Sequence, residues 1–274
     1  MRRFQLLAWG VILVAGVSVI AQELRTAVIA VEYARTGDQI YVKDGVRENK
    51  LDVYARKGTD RSPVAIVFHG APGTKENAFY RNLPLLEMGV SVVLPQGSND
   101  GDPAVLAPRR AAEGRCALQW VVTHADQFHF DTNRIVLAGA SAGGFTALIT
   151  GLATTSAGID RLCPGHTAPK IAAIINFYGA TTATGTLAGL PQLAPVAYVR
   201  AGIPPILTVH GDADEIIPFS EGVALDEALT RAGAVHEFLR IPGARHGHNN
   251  WEPAQVTTAW SRVRDFLKRH DVLR

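Results

Sequence analysis

The sequence predicts an α/β fold in which a mostly parallel central sheet is covered by helices on both faces. Three observations predict it. Short runs such as Val64-Ala65-Ile66-Val67-Phe68 and Val90-Ser91-Val92-Val93-Leu94 read as strands buried on both sides. Between such runs lie segments with helical spacing of apolar residues, so strand and helix alternate along the chain. The composition, 47% hydrophobic and 19% charged over 274 residues, suits a single large core.

The elements follow in order. Met1-Arg2-Arg3 is a short basic start, and Leu6 to Ile20 carries no charge. With Val19-Ile20-Ala21 before Gln22, residues 1–21 read as a signal peptide. If uncleaved, residues 4–21 are long enough to serve as a membrane anchor. Either outcome places the remaining chain outside the cytoplasm: secreted, periplasmic, or anchored and facing outward. Residues 22–37 read as a linker and 38–274 as one domain.

Residues 39–43 and 50–55 are expected to pair as strands about a turn at Asp44-Gly45. The strand at 64–68 precedes a helix over 76–86, a strand at 90–94 and a helix over 110–127. A strand at 134–138 runs through Gly139-Ala140-Ser141-Ala142-Gly143 into a helix over 144–153. Strands at 171–175, 206–209 and 236–241 and helices over 221–231 and 256–268 complete the alternation. Residues 180–199 are uncharged and rich in Ala, Thr, Leu and Pro. They lie where ligands bind in such sheets and are expected to form a small cap over the site.

The formal net charge is +2, and Arg2 and Arg3 account for the excess, so the rest of the chain is neutral. There is no basic stripe, and nucleic acid is not an expected partner. The two cysteines, Cys116 and Cys163, leave two outcomes open: one disulfide or two unpaired buried thiols. Neither has metal-ligand spacing, and no metal or cofactor is expected.

The G-x-S-x-G run between strand and helix is the setting of a nucleophile elbow, with Ser141 at its tip. A serine hydroxyl needs a base, and the base needs an orienting carboxylate. In such folds the chain order is Ser, acid, His. Two later strands run into suitable loops: His210-Gly211-Asp212-Ala213-Asp214-Glu215-Ile216-Ile217-Pro218 and Pro242-Gly243-Ala244-Arg245-His246-Gly247-His248.

With these motifs the chain resembles the α/β-hydrolase superfamily of esterases and lipases over roughly residues 38–270. The match is nearest to its carboxylesterase and feruloyl- or acetylxylan-esterase-like members. The family's acid loop, H-G-x-x-D-x-x-[VI]-P, fits HGDADEIIP and implies Asp214, with Asp212 and Glu215 as competitors. Its histidine loop, G-A-x-H-G, fits GARHG and implies His246, with His248 as rival. The His246–His248 pair also reads as a fragment of a metal site, but no further ligands are apparent.

The resemblance implies an oxyanion hole built from the Ala142 N–H and a donor in Phe68-His69-Gly70-Ala71-Pro72-Gly73, which is similar to the family's H-G-G-G or H-G-x-x-G element. Pro72 departs from the first form and has no N–H, which points to Ala71, with Gly70 as the alternative. His69 is expected to hold this loop through a hydrogen bond. Trp251, five residues past His246, is a candidate substrate-stacking surface or a core residue.

The implied function is hydrolysis of small-molecule carboxylic esters, with short-chain or aromatic acyl groups, through Ser141, His246 and Asp214. Two other readings stay open. One is a peptidase or amidase similar to prolyl oligopeptidases. The other is a non-catalytic binding module, which usually lacks a triad residue.

Overall fold

A computed structural model describes residues 27, 29–45, 47–99, 101–154, 157–163 and 169–274. One sheet of eight strands runs in the order β1-β2-β4-β3-β5-β6-β7-β8. The strands are β1 (Tyr33–Lys43), β2 (Glu48–Arg56), β3 (Ser62–Phe68), β4 (Ser91–Pro95), β5 (Phe130–Ala140), β6 (Ile171–Phe177), β7 (Ile206–Gly211) and β8 (His236–Ile241). β2 is antiparallel to both β1 and β4, and every other neighbouring pair is parallel. The helices are α1 (Lys75–Arg81), α2 (Leu83–Glu87), α3 (Pro103–Thr123), α4 (Ala142–Leu152), α5 (Phe219–Arg231) and α6 (Pro253–Arg269).

Successive side chains of a strand point to opposite faces. Along β3, Val64, Ile66 and Phe68 therefore join a core formed with α3, α4 and α5. Ala65 and Val67 join a second core formed with α1, α2 and α6. The helices lie on both faces, and the fold is that of the α/β-hydrolases. A third, smaller cluster joins α3 and α4 to residues 180–199 through Ala107, Phe145, Leu187, Leu193 and Ile217.

Several boundaries differ from the sequence reading. β1 begins at Tyr33, so residues 33–37 of the expected linker belong to the sheet. Tyr33 is buried, and its hydroxyl donates to the Leu86 carbonyl at 2.6 Å. The expected helix over 76–86 is two helices joined at Asn82, with Pro84 in the first turn of the second. α3 starts at Pro103, where the Asp102 carboxylate caps the Ala104 N–H at 2.8 Å. Pro108 inside that helix hid its first turns from the sequence pattern.

Cys116 of α3 and Cys163 form a disulfide. Residues 180–199 fold as three short 3-10 turns, Gly185–Leu187, Pro191–Leu193 and Pro195–Tyr198. The expected signal peptide or anchor at residues 1–21 lies outside the described residues. Among the described residues, no helix is long and apolar enough to cross a membrane.

Candidate active site

The site begins where β5 becomes α4. Ser141 stands between them with φ 57° and ψ −124°, a conformation L-residues rarely adopt. Its N–H donates to the Phe177 carbonyl at 2.9 Å, which ties the turn to the end of β6. The flanking glycines are required by contact. A methyl on Gly139 would strike the Gly143 carbonyl, and one on Gly143 would strike the Phe68 carbonyl. The Ala142 N–H lies in the first turn of α4, where free amides favour negative charge.

The next two side chains come from the loops after β7 and β8. Asp214 has a fully buried side chain, and its Oδ1 accepts the N–H groups of Ile216 at 2.9 Å and Ile217 at 2.8 Å. Its Oδ2 lies 2.8 Å from His246 Nδ1, and His246 Nε2 lies 3.0 Å from Ser141 Oγ. An acceptor carboxylate at Nδ1 fixes the proton there and leaves the Nε2 lone pair facing the serine hydroxyl. Burial opposes ionisation of Asp214. The His210 and His246 rings and the two backbone N–H groups outweigh it and hold the carboxyl far below the usual range.

The competitors have other partners. Asp212 accepts from Arg240 Nε at 2.7 Å and from the Gly243 N–H at 2.6 Å, which links the two loops. Glu215 receives Arg245 Nε at 3.1 Å and the His246 N–H at 3.2 Å, so it supports the histidine through its backbone. His248 is buried against Tyr178, 2.6 Å from its hydroxyl.

The loop after β3 faces the elbow. His69 Nε2 accepts the Gly97 N–H at 2.9 Å, and His69 Nδ1 lies 2.6 Å from the Gly70 carbonyl. Burial, with Arg110 nearby, pushes the His69 pKa down to about 4, so the ring stays neutral. The Ala71–Pro72 peptide is cis. Ala71, Ser141 and Ala142 line one cavity of about 240 Å3, whose other walls are largely apolar and include Leu106, Phe145 and Leu187. A methyl on Gly70 would lie 3.6 Å from Ser141 Cβ, so this residue also borders Ser141.

The BD-FAE family model matches residues 51–188, half of the chain. The chain belongs to the BD-FAE family. The dienelactone hydrolase family model matches residues 157–271. Among characterised relatives, esterase LipQ of Mycobacterium tuberculosis is 26% identical over 266 residues, covering 86% of this chain and 62% of its own length. The probable carboxylic ester hydrolase LipM of the same organism is 26% identical over 278 residues, covering 89% of this chain and 63% of its own length. The chain thus spans about three fifths of the length of these two relatives. Among solved structures, propionate-bound esterase Est2 of Thermogutta terrifontis superposes with TM-score 0.74 at 24% identity, over 86% of this chain and 94% of that one. A form of that esterase phosphorylated by paraoxon gives TM-score 0.75 at 23% identity, over 88% and 95% of the two chains.

In this BD-FAE member, three supporting residues escaped the sequence reading. Arg110 of α3 is buried and donates to the carbonyls of His69 at 2.8 Å, Ser98 at 2.7 Å and Gly70 at 3.3 Å, fixing the loop beside Ser141. Glu113, one turn on, accepts the Ser98 N–H at 2.8 Å. Two charged residues on the apolar face of a helix were the available signal.

The third is Glu221, in the first turn of α5. Its carboxylate accepts the N–H groups of Thr181 and Thr182 and the hydroxyls of Thr181, Thr182 and Thr184, all within 2.9 Å. It pins the start of the segment that supplies Leu187 to the cavity wall. Burial opposes its ionisation, and the bonds from Thr182, Thr181 and Thr184 outweigh that, holding the carboxyl below its usual value.

Of the two readings left open for Trp251, its surroundings match the core residue. It is buried, its Nε1 donates to the Arg245 carbonyl at 2.7 Å, and its ring meets Tyr178 edge to face. The 3-10 turn His248–Asn250 folds it back into the core beneath the histidine loop. Among the described residues, no group of three His, Cys, Asp or Glu is placed to hold a metal ion.

Proposed function

We propose that the chain is a serine carboxylesterase acting on small-molecule esters with short-chain or single-ring acyl groups. The observation that carries this reading is the hydrogen-bonded line from Asp214 through His246 to Ser141, at 2.8 Å and 3.0 Å, opening on an apolar cavity. Ser141 Oγ attacks the ester carbonyl as His246 Nε2 takes its proton, and Asp214 stabilises the imidazolium. The developing oxyanion is received by the Ala142 N–H and a second N–H from Ala71 or Gly70, worth about 3–4 kcal/mol per donor. His246 protonates the departing alcohol, and water then releases the acid by the same route. The size of the acyl group follows from the cavity. About 240 Å3 lies under the roughly 300–1,000 Å3 of drug-sized sites.

The test is hydrolysis of p-nitrophenyl esters from acetate to laurate, with Ser141→Ala alongside. The mutant is expected to lose activity by several orders of magnitude, and the optimum is expected at short chains. Thermogutta terrifontis esterase 2 is phosphorylated by paraoxon. The same reagent is expected to label Ser141 here. Wild type no faster than Ser141→Ala on every ester would overturn the reading.

Export is part of the proposal. The Cys116–Cys163 disulfide supports it, because such bonds persist in oxidising compartments. Sequencing the N-terminus of the native protein tests it. Gln22 first marks cleavage, Met1 in a membrane fraction marks an anchor, and Met1 in soluble cytoplasm would overturn export.

A further inference from the structure

We propose that Tyr178 and His248 form a latch that holds His246 in line with Ser141 and Asp214. The inference rests on the serine-esterase reading, since it assigns positioning residues to that site. Tyr178 directly follows β6 with φ 41°, a left-handed backbone that is an outlier for a bulky side chain. It is fully buried, and its N–H donates to the Val209 carbonyl at 2.9 Å.

The Tyr178 hydroxyl meets two atoms of one residue. It accepts the His248 N–H at 2.9 Å and lies 2.6 Å from His248 Nδ1. The hydroxyl thus bridges the backbone and the ring of His248. Burial, with the Arg81 cation nearby, pushes the His248 pKa down to about 4 and keeps the ring neutral at ordinary pH. Only Gly247 separates His248 from His246, so a clamp on the His248 backbone limits where the His246 backbone can lie. The Tyr178 ring also meets the His246 ring edge to face, with centroids 5.0 Å apart.

The end of β6 thus holds both reacting partners. The Phe177 carbonyl fixes the Ser141 backbone, and Tyr178, the next residue, fixes the loop that carries His246. Nucleophile and base are referred to one rigid strand, although 105 residues separate them in sequence. Asp214 orients the His246 ring, Glu215 and Asn250 Nδ2 hold its N–H and carbonyl at 3.2 and 2.9 Å, and the latch adds a restraint from the buried side through His248. Neither latch residue touches the hydroxyl of Ser141.

The test uses the full-length chain. Tyr178→Phe keeps the ring and removes the hydroxyl. With p-nitrophenyl butyrate its kcat is expected to fall roughly 10- to 100-fold, as misplacement by about 1 Å does elsewhere, with KM within about twofold. Paraoxon titration of folded protein is expected still to release one p-nitrophenol per chain. His248→Asn retains a hydrogen-bonding group where Nδ1 stood and is expected to keep kcat within about threefold, whereas His248→Leu matches Tyr178→Phe. The double variant Tyr178→Phe/His248→Leu is expected to be no slower than either single one.

A Tyr178→Phe kcat within twofold of wild type overturns the latch, as does a loss explained by a smaller titrated fraction. If Tyr178→Phe does not fold, equal kcat in His248→Asn and His248→Leu overturns it. Activity that survives in Ser141→Ala sinks the serine-esterase reading itself. An inactive Ser141→Ala beside a fully active Tyr178→Phe sinks only the latch.

Discussion

The elbow and the cap border the same cavity but are held in different ways. The elbow is fixed by backbone against backbone. Gly139 and Gly143 let β3, β5 and α4 approach more closely than any side chain allows, and Phe177 grips Ser141 from β6. The cap is fixed by side chains. Glu221 gathers three threonines at its start, and a small apolar cluster lies beneath it. The part that positions the proposed chemistry tolerates almost no change. The part that shapes the cavity is fastened at a few points and can change without disturbing the sheet.

That contrast can be broken at four places, in descending order of effect. Gly143→Ala drives a methyl into the Phe68 and His69 backbone. It is expected to lower the unfolding free energy by about 5 kcal/mol, in the diagnostic range for point mutants, and to abolish ester hydrolysis, read by urea denaturation and assay. Removing the Cys116–Cys163 bond by the double Ala variant opens a closed loop with sequence separation 47. The expected loss is roughly 4 kcal/mol in the chain-entropy model, read as a lower urea midpoint.

Glu221→Gln is expected to cost about 2–3 kcal/mol, since buried donors lose a charged acceptor. Here KM should rise more than kcat falls, because the cap and not the elbow loosens. The pH dependence has a definite sign. The folded-state carboxyl lies below its ordinary 4.5, so its contribution is complete above that pH and is lost as pH falls through the folded value. Unfolding curves at about pH 7 and about pH 3 should show the gap between wild type and Glu221→Gln closing in acid. A constant gap would remove Glu221 from the account of the cap. The smallest effect belongs to Trp251→Phe, which loses one bond to the Arg245 carbonyl. It is expected to cost about 1 kcal/mol with KM unchanged across the ester series. A raised KM would favour Trp251 as a substrate contact.

The alternation of strands and helices was legible because the strands are buried on both faces and read as unbroken apolar runs. So were the loops of Ser141 and Asp214, because each follows such a strand, whereas β8 before His246 is a half-buried edge strand and the GARHG run gave that loop away. Edge and helix-start positions were not. β1 has one solvated side, and its 33–37 segment offers only Tyr33 as an apolar signal. α3 was read seven residues late because Pro103 and Pro108 interrupt the helical pattern, which put Arg110 at its expected start. Glu221 stood at the start of an expected helix with nothing nearby in sequence to mark its threonine partners. Trp251 was placed by distance along the chain, and one 3-10 turn made that distance meaningless. Arg110 and Glu221 escaped because their partners, His69 and Thr181, lie 41 and 40 residues away in sequence.

The backbone of Ser141 bears on how this protein can age. Its φ of 57° and ψ of −124° lie where an L-residue carries about 1–3 kcal/mol of strain. The substitution Ser141→Gly would relieve the strain while deleting the nucleophile. In a lineage released from selection for hydrolysis, drift from serine to glycine here would run downhill in folding energy. The glycine descendants would be sturdier than their ancestor, and on the proposed function only continued use keeps the serine in place.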